Sequence, residues 1–71
     1  MSISAINVRN QFRGKIKNVL QGDIVSEIEV ETPAGLVTSV ITTRSVRELG
    51  LKAGTEVVAL IKATDVSIAK I

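Results

Sequence analysis

Three short segments of this chain gather hydrogen-bond donors without acceptors beside them to occupy them all: Asn7-Val8-Arg9-Asn10, Thr42-Thr43-Arg44-Ser45 and Lys62-Ala63-Thr64. A lysine offers three donors and no acceptor, an arginine five donors, and hydroxyls and backbone amides donate as well. Converging, such groups suit a ligand that carries negative charge and only acceptor oxygens, a tetrahedral oxyanion. The middle segment lies where a strand pattern gives way to a helix pattern, and a helix start presents free amides and partial positive charge. Each residue also has an ordinary role open to it. Ser45 can cap its helix, Thr42 can be a strand residue, and Lys62 can run its stem along apolar surface to water or pair with Glu56 or Asp65.

Other chemistry is largely excluded by what the chain lacks. With no cysteine and no histidine among 71 residues, disulfides, the usual zinc ligands and histidine acid-base catalysis are all absent. The carboxylates are Asp23, Glu27, Glu29, Glu31, Glu48, Glu56 and Asp65; apart from the alternating glutamates of 27–31, which read as a solvated face, none forms a spaced pair for acid-base work. Ser45 with Lys62 is conceivable as a nucleophile pair, but neither sits in a nucleophile motif. No enzymatic activity is expected.

A chain this short buries too little surface for a comfortable core of its own. Hydrophobic residues nonetheless make up 45% of it, without any run near the ~20 residues that a membrane helix needs. Oligomerisation is the natural outlet. The opening Met-Ser-Ile-Ser-Ala-Ile has no charged region followed by a long apolar one, so it does not read as a secretory signal, and a cytoplasmic location is expected.

The elements that must position the donors are strands. Residues 10–20 alternate, with Phe12, Gly14, Ile16 and Leu20 on one face and Arg13, Lys15 and Lys17 on the other; residues 24–32 alternate with Ile24, Ile28 and Val30 inward and the three glutamates outward. A hairpin through Gln21-Gly22-Asp23 would set Lys17 against Glu27, Lys15 against Glu29, Arg13 against Glu31 and Ile16 against Ile28. Thr32-Pro33-Ala34-Gly35 has the proline and glycine placing of a type I turn and leads to a third strand over 36–43. Ser45-Val46-Arg47-Glu48 has capping-box spacing, with Leu49 to be buried and Gly50 as the stop, which predicts one short helix. Residues 56–63 and 65–71 read as two closing strands. The whole chain is then a single all-β domain, a five-stranded OB-type barrel with one short helix between strands 3 and 4.

Fold does not give function. Barrels of this architecture that bind single-stranded nucleic acid stack bases on aromatic side chains in a basic groove. Phe12 is the only aromatic residue here and its phase puts it in the core, the basic run has glutamates to face it, and the formal net charge is only +2. Nucleic acid is therefore not the expected partner. The alternatives to an oxyanion ligand are a small interaction module with apolar edges or, less favoured, a single-stranded nucleic-acid binder.

Residues 7–14 (Asn-Val-Arg-Asn-Gln-Phe-Arg-Gly), 38–51 (Thr-Ser-Val-Ile-Thr-Thr-Arg-Ser-Val-Arg-Glu-Leu-Gly-Leu) and 61–66 (Ile-Lys-Ala-Thr-Asp-Val) resemble, in order and spacing, the molbindins, small cytoplasmic molybdate- and tungstate-binding proteins whose module is of the TOBE type. The resemblance covers almost the whole chain. It implies a five-stranded barrel assembled as a hexamer, a trimer of dimers, with molybdate or tungstate bound at subunit interfaces and no catalytic cofactor. Its binding motif falls on Arg9 in the opening segment, on Thr42 and Ser45, and on Lys62 with the Ala63 amide and the hydroxyl of Thr64. That opening usually reads Ser-Ala-Arg-Asn-Gln in the family. Asn7 and Val8 occupy the Ser-Ala positions here, and either Asn7 replaces the serine donor or Ser4, in an upstream Ser4-Ala5, supplies it.

Overall fold

The computed structural model describes residues 6–71. Four strands form one antiparallel sheet in the order β3-β2-β1-β4: β1 (Asn10–Gln21), β2 (Val25–Thr32), β3 (Gly35–Thr42) and β4 (Glu56–Ile61). One helix, α1 (Thr43–Leu49), leads from β3 toward β4, and a 3-10 turn, Ala63–Asp65, follows β4. Strands with a single short helix between the third and fourth are as the alternation predicts. The fifth strand is not formed. Asp65 closes the 3-10 turn and residues 66–71 pair with no strand, leaving Val66, Ile68 and Ile71 at 46%, 90% and 117% of full exposure. Alternation records which side chains need cover, and it cannot say that the cover lies in the same chain.

The sheet therefore stays open. Ile16, Ile28, Val30 and Val46 are its buried centre, with Val19, Val37, Ile41, Leu51 and Val57 packed around them. On the same inner face lies an apolar trough of about 590 Å³ whose walls include Val37, Ile41, Leu51 and Val57. Among the described residues no helix is long and apolar enough to cross a membrane.

The first hairpin keeps the predicted strands but not their register. Lys15 lies opposite Glu31 and Ile16 opposite Val30, a two-residue shift from the expected pairing that preserves the inward face. The register then slips at Lys17, so that Asn18 faces Glu29, Val19 faces Ile28 and Leu20 faces Glu27. One extra residue reverses the phase beyond it. Leu20, expected inside, is consequently 54% exposed, and Val19 takes its inward place. Ile24, also expected inside, falls in the hairpin loop and is 77% exposed. Arg13 pairs across β4 with Val58 instead of Glu31. The proposed lysine-glutamate ladder is thus not made, and among the described residues the only ion pair is Arg44 with Glu48, exposed at spacing i,i+4.

At the helix the cap is Thr42, not Ser45: the Thr42 hydroxyl accepts from the Ser45 amide at 3.1 Å. Ser45 is thus the third helical residue and Glu48 turns to Arg44. Leu49, expected buried, is 67% exposed. Gly50 does stop the helix, in the left-handed region at φ 62°, where its amide returns to the carbonyls of Arg47 and Val46.

Candidate functional site

The register of β1 with β4 decides where the donors go. The last paired residues are Asn10 and Ile61, and the Asn10 side chain also donates to the Ile61 carbonyl at 3.0 Å. One step further, Arg9 and Lys62 leave the ladder side by side, both exposed. Among the described residues neither forms an ion pair with an acid, Glu56 and Asp65 included. Lys62 stands just before the 3-10 turn and makes no side-chain cap. The amides of Ala63 and Thr64 open that turn and have no partner within it, and the Thr64 side chain is exposed. Val8 is half-buried and its carbonyl accepts from the Gln11 side chain at 2.7 Å, while Asn7 is exposed. Arg9, Lys62, Ala63 and Thr64, with Asn7 and Val8 near by in the chain, therefore form one group at the start of β1. Ser4 lies outside the described residues.

Thr42 and Ser45 form a second group. Their hydroxyls are 2.8 Å apart, held by the cap described above. Because the Thr42 oxygen already takes the Ser45 amide, the helix start offers fewer free amides than its position in the sequence suggests, and because one hydroxyl proton lies between the Thr42 and Ser45 oxygens, a single hydroxyl proton of the pair is left to donate outward. Thr42 pairs with Val25 at the beginning of β2, which adjoins the end of β1, where Gln21 pairs with Ser26. The helix packs on β2 and β3.

The two groups accordingly sit at opposite ends of β1, whose 12 residues span about 36 Å along the strand at ~3.3 Å per residue. One copy of the chain brings Thr42 to Ser45 and Arg9 to Lys62, but not the first pair to the second. Within one copy the same separation keeps Ser45 away from Lys62. Among the described residues no cluster of acids suited to a metal ion occurs. Phe12, expected in the core, is half-buried opposite Ala59 and is not among the residues packed on the buried centre.

Sequence reasoning missed two hydroxyls that stand behind the second group. Ser26 and Thr43 are each 1% exposed, the most buried side chains described. Their oxygens are 2.7 Å apart, and the Thr43 hydroxyl donates to the Gly22 carbonyl at 2.7 Å. The only signal for them was negative, two small polar residues standing at inward-facing positions.

A model of the TOBE domain family matches residues 6–68. The chain is 48% identical over 69 residues to molybdenum-pterin-binding protein 3 of Clostridium pasteurianum, covering 96% of this chain and 97% of that protein. The solved structure of a molybdate-binding protein from Sporomusa ovata, 30% identical, superposes with a TM-score of 0.88 and covers 94% of this chain and all of that one. The cytoplasmic molybdate-binding protein ModG, solved with molybdate bound, is 33% identical with a TM-score of 0.82, matching 87% of this chain and 45% of its own length.

Proposed function

The chain belongs to the TOBE domain family, and from that premise we propose that it binds molybdate or tungstate at the interfaces of a homo-oligomer, as a cytoplasmic store or buffer of the oxyanion that performs no chemistry on it. The observation that carries this reading is the division of the donors. Arg9 and Lys62 stand at one end of β1 and Thr42 and Ser45 at the other, so a cage using both groups needs two copies of the chain. Relatives with molybdate-binding names supply the class of ligand.

The chemistry of the two groups suits that ligand. Molybdate at neutral pH is a dianion with acceptor oxygens alone, and two cations, hydroxyls and backbone amides are all donors to it. Monohydrogen phosphate carries a proton that needs an acceptor, and neither group contains a carboxylate to receive it. Sulfate has the same charge and shape, so cage size must reject it. The cost of holding Arg9 beside Lys62 falls when a dianion lies between them.

Assembly also meets the needs of the fold. The open trough and the apolar tail over 66–71 are surfaces that a small chain without disulfides would cover by association. The hexamer that the molbindin resemblance implies is the assembly we propose to cover them.

Native mass spectrometry with and without molybdate, paired with titration calorimetry, tests the reading. The expected result is a hexamer carrying bound molybdate, with saturable heats for molybdate and tungstate and far weaker ones for phosphate. A monomer at micromolar concentration would remove the interface sites, and equal heats for phosphate and molybdate would remove the donor-only cage.

A further inference from the structure

The hydroxyls of Ser26 and Thr43 are almost wholly buried, and together they anchor the first residue of α1, next to its cap. Thr43 has one hydroxyl proton and gives it to the Gly22 carbonyl. The hydrogen bond between the two side chains must then use the proton of Ser26, with Thr43 accepting. The Thr43 amide donates to the Ile24 carbonyl at 2.8 Å. Residue 43 is thereby tied by three bonds to the hairpin that joins β1 to β2. The next residue back is Thr42, whose oxygen fixes both the amide and the hydroxyl of Ser45.

A helix of seven residues does not hold its own position, because its few internal bonds scarcely offset the cost of nucleation. Val46 is the one apolar side chain that α1 buries, and a single apolar contact is not directional. The hydroxyl chain is directional. We infer that Thr43 and Ser26 are positioning residues for the oxyanion site: they set Thr42 and Ser45 against the β1–β2 hairpin, and the placement of the hydroxyl donors depends on them. This rests on the reading of Thr42 and Ser45 as anion donors.

The test uses Thr43→Val, Thr43→Ser, Ser26→Ala and the double variant Ser26→Ala/Thr43→Val, each measured for molybdate affinity by calorimetry and for melting temperature without anion. Thr43→Val is expected to weaken molybdate about tenfold, the low end of what supporting hydrogen bonds around a bound ion are worth, and Thr43→Ser to restore it. The double variant separates positioning from stability. Removing both hydroxyls leaves fewer unsatisfied groups than removing one, so its melting temperature should recover toward wild type while its affinity stays low. If Thr43→Val does not fold, Ser26→Ala takes its place, with about threefold weaker binding expected because one support of three is lost. Wild-type affinity in Thr43→Val, or in Ser26→Ala where that variant stands in, overturns the positioning role and leaves the oxyanion reading intact. Affinity that recovers in the double variant together with melting temperature reduces the two hydroxyls to a stabilising pair and overturns it too. A folded wild type that binds no molybdate removes the oxyanion reading itself, and the positioning role with it.

Discussion

Replacing Lys62 with methionine should weaken molybdate binding by more than tenfold while leaving the protein folded. Methionine keeps most of the lysine stem's volume and apolar contact, and the structure gives the stem little to hold. Lys62 is exposed beyond the last β4 residue, Ile61, caps nothing and, among the described residues, pairs with no acid. What the substitution deletes is one charge and three donors. Charged hydrogen bonds lost from a desolvated site typically cost about 2–5 kcal/mol, and each 1.4 kcal/mol is about a factor of ten. Without anion the variant should melt at or above wild type, since it breaks no described ion pair and removes one cation from the end of the ladder that also carries Arg9. Had Lys62 been paired with Glu56 or Asp65, the mutation would leave an unpartnered carboxylate and lower stability with no effect on the anion. Thermal melts of both proteins, each with and without tungstate, distinguish the two cases, because a ligand that binds only the folded state must raise its melting temperature. If Lys62→Met retained the full tungstate-induced rise, the lysine would not be a ligand.

The donors were legible from residue type, and their division between the two ends of β1 was not. Arg9, Thr42, Ser45 and Lys62 announce themselves because they bring donors where the sequence supplies no neighbouring acceptors. Their separation follows from which strand pairs with which: β4 runs back along the first half of β1 and places Lys62 beside Arg9, while β3 ends against the start of β2. Composition holds no trace of that order. The four strands that form were readable from alternation to within a residue or two, because a half-buried strand imposes a period of two, whereas the fifth expected over 65–71 does not form. Alternation fails where a strand gains a residue, and the slip at Lys17 exchanged the faces of Val19 and Leu20. It fails also where two spacings compete. Ser45 and Glu48 have the separation of a capping box, but Thr42 ends a strand in extended backbone (φ −67°, ψ 146°) and so captures the cap first. Ser26 and Thr43 were illegible for a third reason: a small hydroxyl on a strand looks the same in sequence whether water or another hydroxyl satisfies it.

The largest loss of stability from a single methyl group should come at Gly14. This glycine is not required by its dihedral angles, since its φ is not positive. It is required by the closeness of a neighbouring strand. Gly14 pairs with Val57 of β4 on one side, and on the other a β-carbon built on it would run into the Glu31 carbonyl oxygen and lie 3.0 Å from the Glu31 carbonyl carbon and from Thr32 Cγ2. A side chain in the way could turn aside, but a carbonyl in a ladder cannot. β1 would have to draw away from β2 next to the pairing of Lys15 with Glu31 and of Ile16 with Val30, at the edge of the buried core. Overpacking commonly costs 1–3 kcal/mol, and with backbone as the obstacle Gly14→Ala should reach about 3 kcal/mol or more. A domain of this size has only about 4–11 kcal/mol in total, so roughly a quarter to three-quarters of the protomer's stability is at stake. Gly50→Ala is the control. Its φ of 62° strains an alanine, but its β-carbon would meet nothing within 4 Å, and a left-handed residue costs about 1–2 kcal/mol. Urea unfolding of the two variants at equal protein concentration should therefore place Gly14→Ala well below Gly50→Ala. The reverse order, or a Gly14→Ala midpoint close to wild type, would mean that β1 can part from β2 at little cost and that the close approach of the central strands is not what this glycine serves.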